Sequence, residues 1–565
     1  MTKTPPTSVA FQFEPDGYVT SGPTLMGRQA AGNAFLRAAV AGLAGQPLWA
    51  FTPHRSSAEV FARLARELDP RADPRWLPAD RLDRLAQVGT LYLPGPGLGD
   101  AARLRLRAGA GAYSITGVTH TTASHTAMDA VTGLLAAPVM PWDALVCTSG
   151  AVAGTVKALL EAETEALRWR FGPGLRFTLP QLPVIPLGVH GGDFVFSPAE
   201  RAAARAALGI AEDAVVALFV GRLSFHAKAH PHPMHLGLQA AAGRTGRSIV
   251  LLQCGWFANP AIERAFAEGA AAHCPSVRAL FTDGRDAEAR RRSWAAADLF
   301  VSLSDNIQET FGLTPVEAMA AGLPVVVTDW DGYKDTVRDG VDGFRIPTWM
   351  PPPDLGAPFA LAYEAGMDTY DLYCGLTCQT VSVDLGALAD RLGALAADPA
   401  LRARMGQAGR ARVRERFDWA VVFRRYQELW GQLAAIRRAA RDDPGWGETL
   451  RAAPRAAAGR MDPFRGFAHY PTALIQPGTL VTALPGADLA RYRGLAADGL
   501  FRYAARLLPA PELVEGLLRA LDGGSLDAAT LARRAGLDLG AAVLAVSVLA
   551  KMGLLSLSDP PAGAA

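Results

Sequence analysis

The sequence predicts an α/β protein of two tandem doubly wound, Rossmann-like domains, followed by a small, mainly helical C-terminal domain. Three observations predict it. Short apolar, β-rich runs alternate with helical stretches through the first 350 residues, the pattern that specifies parallel sheets covered by helices on both faces. The series occurs twice, restarting after the polar stretch Ser197–Asp213. The length of 565 residues, at roughly 150 residues per domain, leaves room for about three to four domains.

In chain order, strands of the first series are expected at Val9–Phe13, Leu48–Phe51, Thr90–Leu93, Tyr113–Val118 and Ala144–Cys147, closing near Val184–Leu187. Those of the second are expected at Val215–Val220, Ile249–Cys254, Arg278–Phe281, Leu299–Leu303, Pro324–Thr328 and Gly343–Ile346. Two helices with one buried face follow: Leu385, Leu388, Leu392 and Leu395 recur at three- and four-residue steps, as do Trp419, Phe423, Tyr426 and Trp430 behind Asp418 as N-cap. Arg437–Arg460, rich in Ala, Arg, Pro and Gly, reads as a linker and Asp559–Ala565 as a tail. Between them Pro511–Leu521, Asp527–Ala535 and Leu539–Met552 read as three helices, with Gly536 at a turn and Gly553-Leu-Leu-Ser-Leu behind them, the order of a winged-helix domain.

Composition narrows the function classes. The 56 Lys+Arg against 54 Asp+Glu leave a formal charge of +2, too even for a whole-surface attraction to nucleic acid or anionic lipid, so a basic site must be local. With 50% hydrophobic and 19% charged residues the chain is a folded one. Met1–Phe13 lacks the apolar core of a signal peptide, and the longest apolar stretch, Leu539–Ala550, is short of the ~18 residues of a membrane span, so no transmembrane segment is expected. The five cysteines (Cys147, Cys254, Cys274, Cys374, Cys378) contain no C-x-x-C pair and support neither a disulfide framework nor a zinc site, so a cytoplasmic location is expected.

Tandem doubly wound domains place a ligand cleft between the carboxyl ends of two sheets, so motifs matter at strand ends. After the first strand, Gly22-Pro-Thr-Leu-Met-Gly27 opens into a helix, either as a phosphate-approaching loop or as a tight turn. The second domain opens with Phe219-Val-Gly221-Arg222-Leu223 and then Lys228, two cations that converge on a diphosphate or stay solvated. Asn306-Ile-Gln-Glu309-Thr-Phe311-Gly312-Leu313-Thr-Pro-Val-Glu317 puts one acid in a loop and a second on the following helix, about two turns from its start. The acids suit hydroxyls of one ligand and the amides of Phe311, Gly312 and Leu313 suit its phosphates; otherwise Glu309 is a helix-start acid and Glu317 a solvated one.

The E-x7-E spacing within ETFGLTPVEAMAAGLPVVVTD, preceded by FVGRLSFHAK and followed by DGVDGFRIPT, resembles retaining glycosyltransferases of the GT-B fold, family 4 type (glycosyl transferases group 1). The resemblance covers roughly residues 5–435 and is strong from Ala217 to Thr348. It implies a UDP- or GDP-sugar donor in the interdomain cleft and transfer to an acceptor hydroxyl with retention. Arg222 and Lys228 match the pair gripping the donor diphosphate, Glu309 the acid beside the transferred sugar, and Glu317 the acid on the nucleotide ribose. Gly27 resembles the family's glycine at the diphosphate, with Met26-Gly27 in place of a Gly-Gly pair, and His120 in Gly117-Val-Thr-His120 follows a strand as the family's active-site histidine does, although a lone histidine is also a common structural residue. In catalysis the resemblance assigns Glu309, Arg222, Lys228 and His120, and in donor binding Gly27, Phe311, Gly312, Leu313 and Glu317.

No metal or other cofactor is expected. Asp329-Trp330-Asp331 mimics a D-x-D motif but aligns outside the diphosphate site, and His125, His226, His230, His232 and His235 show no convincing ligand spacing with an acid. The implied organisation is 1–195, the acceptor-side domain; 196–383, the nucleotide-sugar domain; 384–436, helices crossing back; 437–461, linker; 462–558, an interaction module; and 559–565, tail. Gly540–Ala550, in the position of a DNA-recognition helix, contains no Lys or Arg, which disfavours DNA and favours docking of a partner protein or acceptor over plain packing, with Phe501, Arg502 and Tyr503 as candidate contacts. The acceptor is an unspecified glycan, protein or small molecule. A catalytically idle sugar-nucleotide-binding scaffold and a DNA-binding regulator are the rival functions.

Overall fold

A computed structural model describes residues 8–19 and 27–559. The chain divides into one compact unit ending at Ala457 and a second beginning at Ala458. The first unit contains two six-stranded sheets. The first sheet comprises β1 (Ala10–Gln12), β2 (Pro47–Thr52), β3 (Asp73–Pro78), β4 (Thr90–Tyr92), β5 (Ser114–Val118) and β6 (Ala144–Val146) in the spatial order β3-β2-β1-β4-β5-β6, every pairing parallel. The second comprises β7 (Val215–Val220), β8 (Ile249–Gly255), β9 (Val277–Asp283), β10 (Leu299–Ser302), β11 (Val325–Thr328) and β12 (Gly343–Ile346), ordered β12-β11-β10-β7-β8-β9 and again wholly parallel. Each is therefore a doubly wound sheet with its order reversing between its first and fourth strands.

The central strands of the second sheet show why sequence reads them well. β7, β8, β10 and β11 are buried at every position, as strands covered on both faces must be. Along β7 the side chains alternate between two cores: Val216, Leu218 and Val220 enter one, Val215, Ala217 and Phe219 the other. The expected strands of both series are present apart from the last of the first series. Val184–Leu187 makes only an isolated bridge, Cys147 with Val184. Pro183 and Pro186 remove the amide donors that a longer pairing needs. Conversely, β3 is a strand the sequence disguises: Asp73-Pro-Arg-Trp-Leu-Pro78 is mostly solvent-facing and lies at the sheet edge, where proline is tolerated.

After β12, a short antiparallel pair, β13 (Thr348–Trp349) with β14 (Ser382–Val383), brackets two helices, Ala357–Glu364 and Tyr370–Gln379, that no periodicity announced. The helix Leu385–Ala397 then buries Leu388, Leu392 and Leu395 on the second domain, and Trp419–Asp442 returns to the first. There Trp419, Phe423, Tyr426 and Trp430 share a core with Phe11, Phe13 and Phe35. Asp418 caps this helix by accepting the N–H of Ala420 at 2.9 Å.

The stretch expected as a linker is folded over most of its length. Trp419–Asp442 runs through Arg437, whose guanidinium donates to the Gly89 carbonyl, and a further helix, Pro444–Ala452, sets Trp446 edge-on against Trp142 with centroids 5.4 Å apart. Alanine and arginine made the segment look like spacer, but its few apolar residues fall on one buried face. The second unit packs helices Pro511–Leu521, Ala528–Arg534 and Leu539–Lys551, as expected, with an antiparallel sheet of β15 (Leu480–Ala483), β16 (Ser525–Asp527) and β17 (Leu555–Ser558), ordered β16-β15-β17. Val481, Leu517, Leu531 and Leu549 meet in its core. Among the described residues, no helix is long and apolar enough to cross a membrane.

Trp430 is fully buried against Phe11, Tyr92, Phe423 and Tyr426. Trp430→Ala should cost about 3–5 kcal/mol, read as a lower urea midpoint of the unfolding transition. An unchanged midpoint would show that this seam does not hold the first domain.

Candidate functional site

In the second sheet β7 and β10 are neighbours although far apart in sequence, and the crevice beyond their carboxyl ends is the switch point of the fold. The turn after β7 carries Arg222 and Lys228. The loop after β10 carries Asp305 to Gly312 and leads into the helix Leu313–Ala320. Lys228 Nζ donates to Glu309 Oε2 in a direct ion pair with side-chain exposures of only 25% and 12%. Glu309 Oε1 accepts the N–H groups of Thr310 at 3.3 Å and Gly312 at 3.2 Å. Burial alone would raise the Glu309 pKa; the charge and hydrogen bond of the Lys228 ammonium, with the Thr310 and Phe311 amides, outweigh it and hold the carboxyl below its ordinary value. An ammonium has three donors, so Lys228 keeps capacity for further anionic oxygens. Arg222 donates to the Ala227 carbonyl at 3.0 Å and to Gln308 Oε1 at 2.9 Å, which fixes its guanidinium beside the same loop.

Gly312 turns the loop into the helix. Its φ of 86° is left-handed, and a Cβ there would lie 2.1 Å from the Tyr333 ring, so no side chain fits. Tyr333 is held in turn by a 2.8 Å hydrogen bond with Ser302. No side chain caps the helix, so no side-chain acceptor takes up the N–H groups of its first turn. Phe311 is buried in the core, Leu313 is half-buried, and Thr314 Oγ1 is buried without a hydrogen-bond partner. Glu317 lies one turn into the helix rather than two, because the helix starts at Leu313. Burial pushes its pKa up to about 7, against the opposing charges of Arg290 and Lys228. Asp331, at a φ of 41°, is raised to about 7 by burial and then by the charge of Glu309, and its Oδ2 is buried without a partner.

A second tier pins the two loops together. Asn306 donates from Nδ2 to the His226 carbonyl at 2.9 Å and accepts the Gln308 N–H at 2.9 Å, while Trp330 Nε1 donates to the Asn306 carbonyl at 3.1 Å. Buried Asp305 accepts from the His230 N–H at 3.2 Å and from Cys378 Sγ at 2.9 Å; burial raises its pKa to about 6.

On the first domain, His120 follows β5 with Nε2 2.9 Å from the Pro94 carbonyl oxygen. It lines a cavity of about 380 Å³ beyond the first sheet, with Gln12, Tyr18, Tyr92 and Tyr426. Gly27 opens the helix Gly27–Gly42; the preceding loop residues Gly22–Met26 lie outside the described residues. The structure thus gathers Arg222, Lys228, Glu309, Phe311, Gly312, Leu313 and Glu317 on the second domain, with His120 and Gly27 on the first. Sequence reasoning missed Gln308, Thr314 and Tyr370, and it set Asp331 aside as part of a D-x-D mimic, whereas that carboxyl feels the charge of Glu309. Gln308 and Thr314 sat inside the quoted motif without a chemical role, and Tyr370 belongs to helices that no pattern predicted.

The other polar clusters resolve differently. Asp329 pairs with Arg345 at 3.3 Å. His235 is buried, and burial, then the neighbouring charges of His232, His273 and His230, lower its pKa to about 4. His232 sits edge-on to His273 with centroids 4.5 Å apart, and His125 stacks on Tyr363. Among the described residues, no group of three His, Cys, Asp or Glu side chains is arranged to hold a metal ion.

Comparison with known proteins finds similarity over the second domain. Residues 200–350 match the family model described as glycosyl transferases group 1. D-inositol 3-phosphate glycosyltransferase of Geodermatophilus obscurus is 36% identical over 195 residues, covering 33% of this chain and 40% of that protein. Phosphatidyl-myo-inositol mannosyltransferase of Mycobacterium tuberculosis is 35% identical over 133 residues, covering 23% and 27%. The chain thus spans less than half the length of these curated relatives. Among solved structures, Anabaena HepE in complex with UDP aligns with a TM-score of 0.48 at 18% identity, covering 75% of this chain and 100% of that one.

Three raised carboxyls, Glu317, Asp331 and to a lesser extent Asp305, give a pH signature. Glu317 and Asp331 keep their protons in the fold up to about pH 7, whereas in the unfolded chain they lose them near 4.5 and 3.8. The folded state therefore binds more protons in that window and loses stability as pH rises from about 5 to about 7, levelling above it. The melting temperature of the unliganded protein should follow that course, and Glu317→Gln should make it shallower, Asp331 and Asp305 supplying what remains. An equal slope in the variant would contradict the burial of Glu317.

Proposed function

We propose that the chain is a glycosyltransferase of the GT-B type that moves a sugar from a UDP- or GDP-sugar to an acceptor hydroxyl with retention of configuration. The observation that carries this reading is the meeting, at the switch point of the second sheet, of two cations, Arg222 and Lys228, with an uncapped helix start and an ionised carboxylate, Glu309. Cations and free amides at a helix start are the equipment for a diphosphate. The unpartnered Thr314 hydroxyl adds a donor on the same turn. The match of residues 200–350 to group 1 glycosyl transferases supports the same assignment.

In this reading Arg222 and Lys228 bind the donor diphosphate and neutralise the charge that develops as it leaves. The bond from sugar C1 to the phosphate oxygen breaks while the acceptor oxygen bonds C1 on the same face, and the acceptor proton passes to the departing phosphate oxygen. Glu309 stabilises the sugar in transit, Glu317 accepts from the ribose hydroxyls, and His120 presents a polar edge from the acceptor side. Binding of ribose supplies Glu317 with hydrogen bonds that favour its ionised form. No metal is assigned to the diphosphate, whose charge the two cations balance. The second unit is assigned to docking of an acceptor or partner protein; the sole cation of Leu539–Lys551 is its last residue, which leaves this helix poorly equipped to contact DNA.

Arg222→Ala and Lys228→Ala should each slow transfer by roughly 10²–10³-fold, the scale of losing one preorganised charge stabiliser, measured with purified protein and a panel of UDP- and GDP-sugars. Near-wild-type turnover in both variants overturns the assignment. Release of free sugar from the donor without acceptor separates an enzyme from an idle scaffold, and it should persist in excess EDTA. Complete loss with chelator, restored by a divalent cation, would show that a metal is required. Glu309→Gln should impair transfer more than nucleotide affinity, and Glu317→Gln the reverse; equal losses of affinity contradict the division of roles.

A further inference from the structure

The cavity of about 380 Å³ on the first domain is lined by the last residues of β1, β4 and β5, namely Gln12, Tyr92 and Val118, so it opens at the carboxyl ends of the first sheet. Its wall is aromatic. Phe35 stacks on Tyr92 with centroids 4.4 Å apart, and Tyr426, carried by the returning helix Trp419–Asp442, sits edge-on to Tyr92 at 5.9 Å. Glu14 and Asp16, exposed on the turn after β1, form part of its lining. That turn is held in place: the helix Gly27–Gly42 packs so closely on it that a Cβ at Gly32 would lie 2.1 Å from the Gly17 carbonyl oxygen, and Asn33 Nδ2 donates to the Tyr18 carbonyl at 3.1 Å. His120 lines the same cavity, and its neighbour Thr121 has Oγ1 3.0 Å from the hydroxyl of Tyr370. The helix Tyr370–Gln379 in turn packs on the turn after β7, where a Cβ at Gly375 would lie 2.9 Å from His226 Cβ. The loop of His120 and the cation-bearing turn of the second domain are thereby joined through one helix.

The polar groups of the cavity await a partner. Tyr92 and Tyr426 are only 4% and 1% exposed, yet among the described residues neither hydroxyl forms a hydrogen bond. The Tyr18 hydroxyl beside them donates to the Gln12 carbonyl at 3.2 Å. Leaving a buried hydroxyl unpaired is costly, so two of them on one cavity wall mark a surface that a ligand completes. Burial raises the pKa of both phenols, so each keeps its proton and can donate as well as accept, the same double capacity that a ligand hydroxyl has. The ionised carboxylates of Glu14 and Asp16 only accept. Among the described residues that line the cavity there is no Lys or Arg. Hydroxyl and ammonium groups satisfy such a lining, whereas a phosphate or carboxylate meets charge of its own sign.

We propose that this cavity receives the acceptor, and that the acceptor is a hydroxylated ring, a sugar or cyclitol, carrying no phosphate or carboxylate. The proposal rests on the transferase reading and narrows its acceptor. Tyr92 and Tyr426 exchange hydrogen bonds with ring hydroxyls, the aromatic wall covers the apolar face of the ring, and Glu14 and Asp16 accept from its outer hydroxyl or amino groups while repelling anions.

The test is ligand-observed NMR titration of the full chain, without nucleotide, by glucose, mannose, glucosamine and myo-inositol, each paired with its monophosphate, together with calorimetric titration of UDP and of GDP. At least one parent ring should bind, roughly 10-fold or more tightly than its phosphate. Tyr92→Phe and Tyr426→Phe should each weaken that ring by roughly 3- to 10-fold, the size of one net hydrogen bond. The double variant Glu14→Gln/Asp16→Asn should bring the phosphate to within roughly 3-fold of its parent. A phosphate that binds the wild type as tightly as its parent overturns the proposal. So do a wild type that binds nucleotide but none of the rings, and unchanged ring affinity in both tyrosine variants. Ring binding as described in a protein that binds neither UDP nor GDP overturns the donor reading, and the acceptor role with it, while the selectivity of the cavity for uncharged or amino-bearing rings is upheld.

Discussion

The ion pair between Lys228 and Glu309 is the constraint on which the crevice depends. The partners are 81 residues apart and come from turns after adjacent strands, so they meet only because β7 and β10 are neighbours in a doubly wound sheet. Each side chain is largely shielded from water, and either alone would be a costly buried charge. Together they are stable, and their field spreads outward: the Glu309 charge helps keep Asp331 protonated, and the Lys228 charge draws Glu317 back toward ionisation. Glu309 also accepts two backbone N–H groups at the turn into Leu313–Ala320, so the pair shapes the helix start as well as the charge.

This pair makes the crevice receptive to anions without leaving a naked cation in it. In the proposed function a diphosphate would meet an ammonium with donors to spare, a guanidinium already oriented by Gln308, and amides at an uncapped helix start. The tier behind them, from Asn306 to Trp330 and Asp305 to Cys378, ties the contributing loops to one another. Precision here comes from short polar links between strand-end turns, which parallel sheets place side by side.

How much of this was legible follows the physics of each signal. Strands buried on both faces, such as Val215–Val220, announce themselves as apolar runs, and the two sheets were readable for that reason. An edge strand with two prolines, Asp73–Pro78, carries no such run, while the apolar Val184–Leu187 is held to an isolated bridge by Pro183 before it and Pro186 within it. Arg437–Ala452 looked like spacer because alanine and arginine hide a helix whose buried face is only a few residues wide. At the site, acids and cations at strand ends were visible from their spacing. Tyr370 was not, since its place is set by a contact to Thr121, 249 positions away along the chain. Asp331 likewise owes its raised pKa to burial and then to the charge of Glu309, a neighbour only in space.

The central claim is that the switch-point crevice of the second sheet grips a diphosphate. Comparing the affinities of the wild-type protein for UDP and UMP, and for GDP and GMP, tests it most directly. Charge-assisted bonds from Lys228, Arg222 and the helix start to the second phosphate predict that one diphosphate binds roughly 10- to 100-fold more tightly than its monophosphate. Equal affinity for mono- and diphosphate in both series would contradict the account.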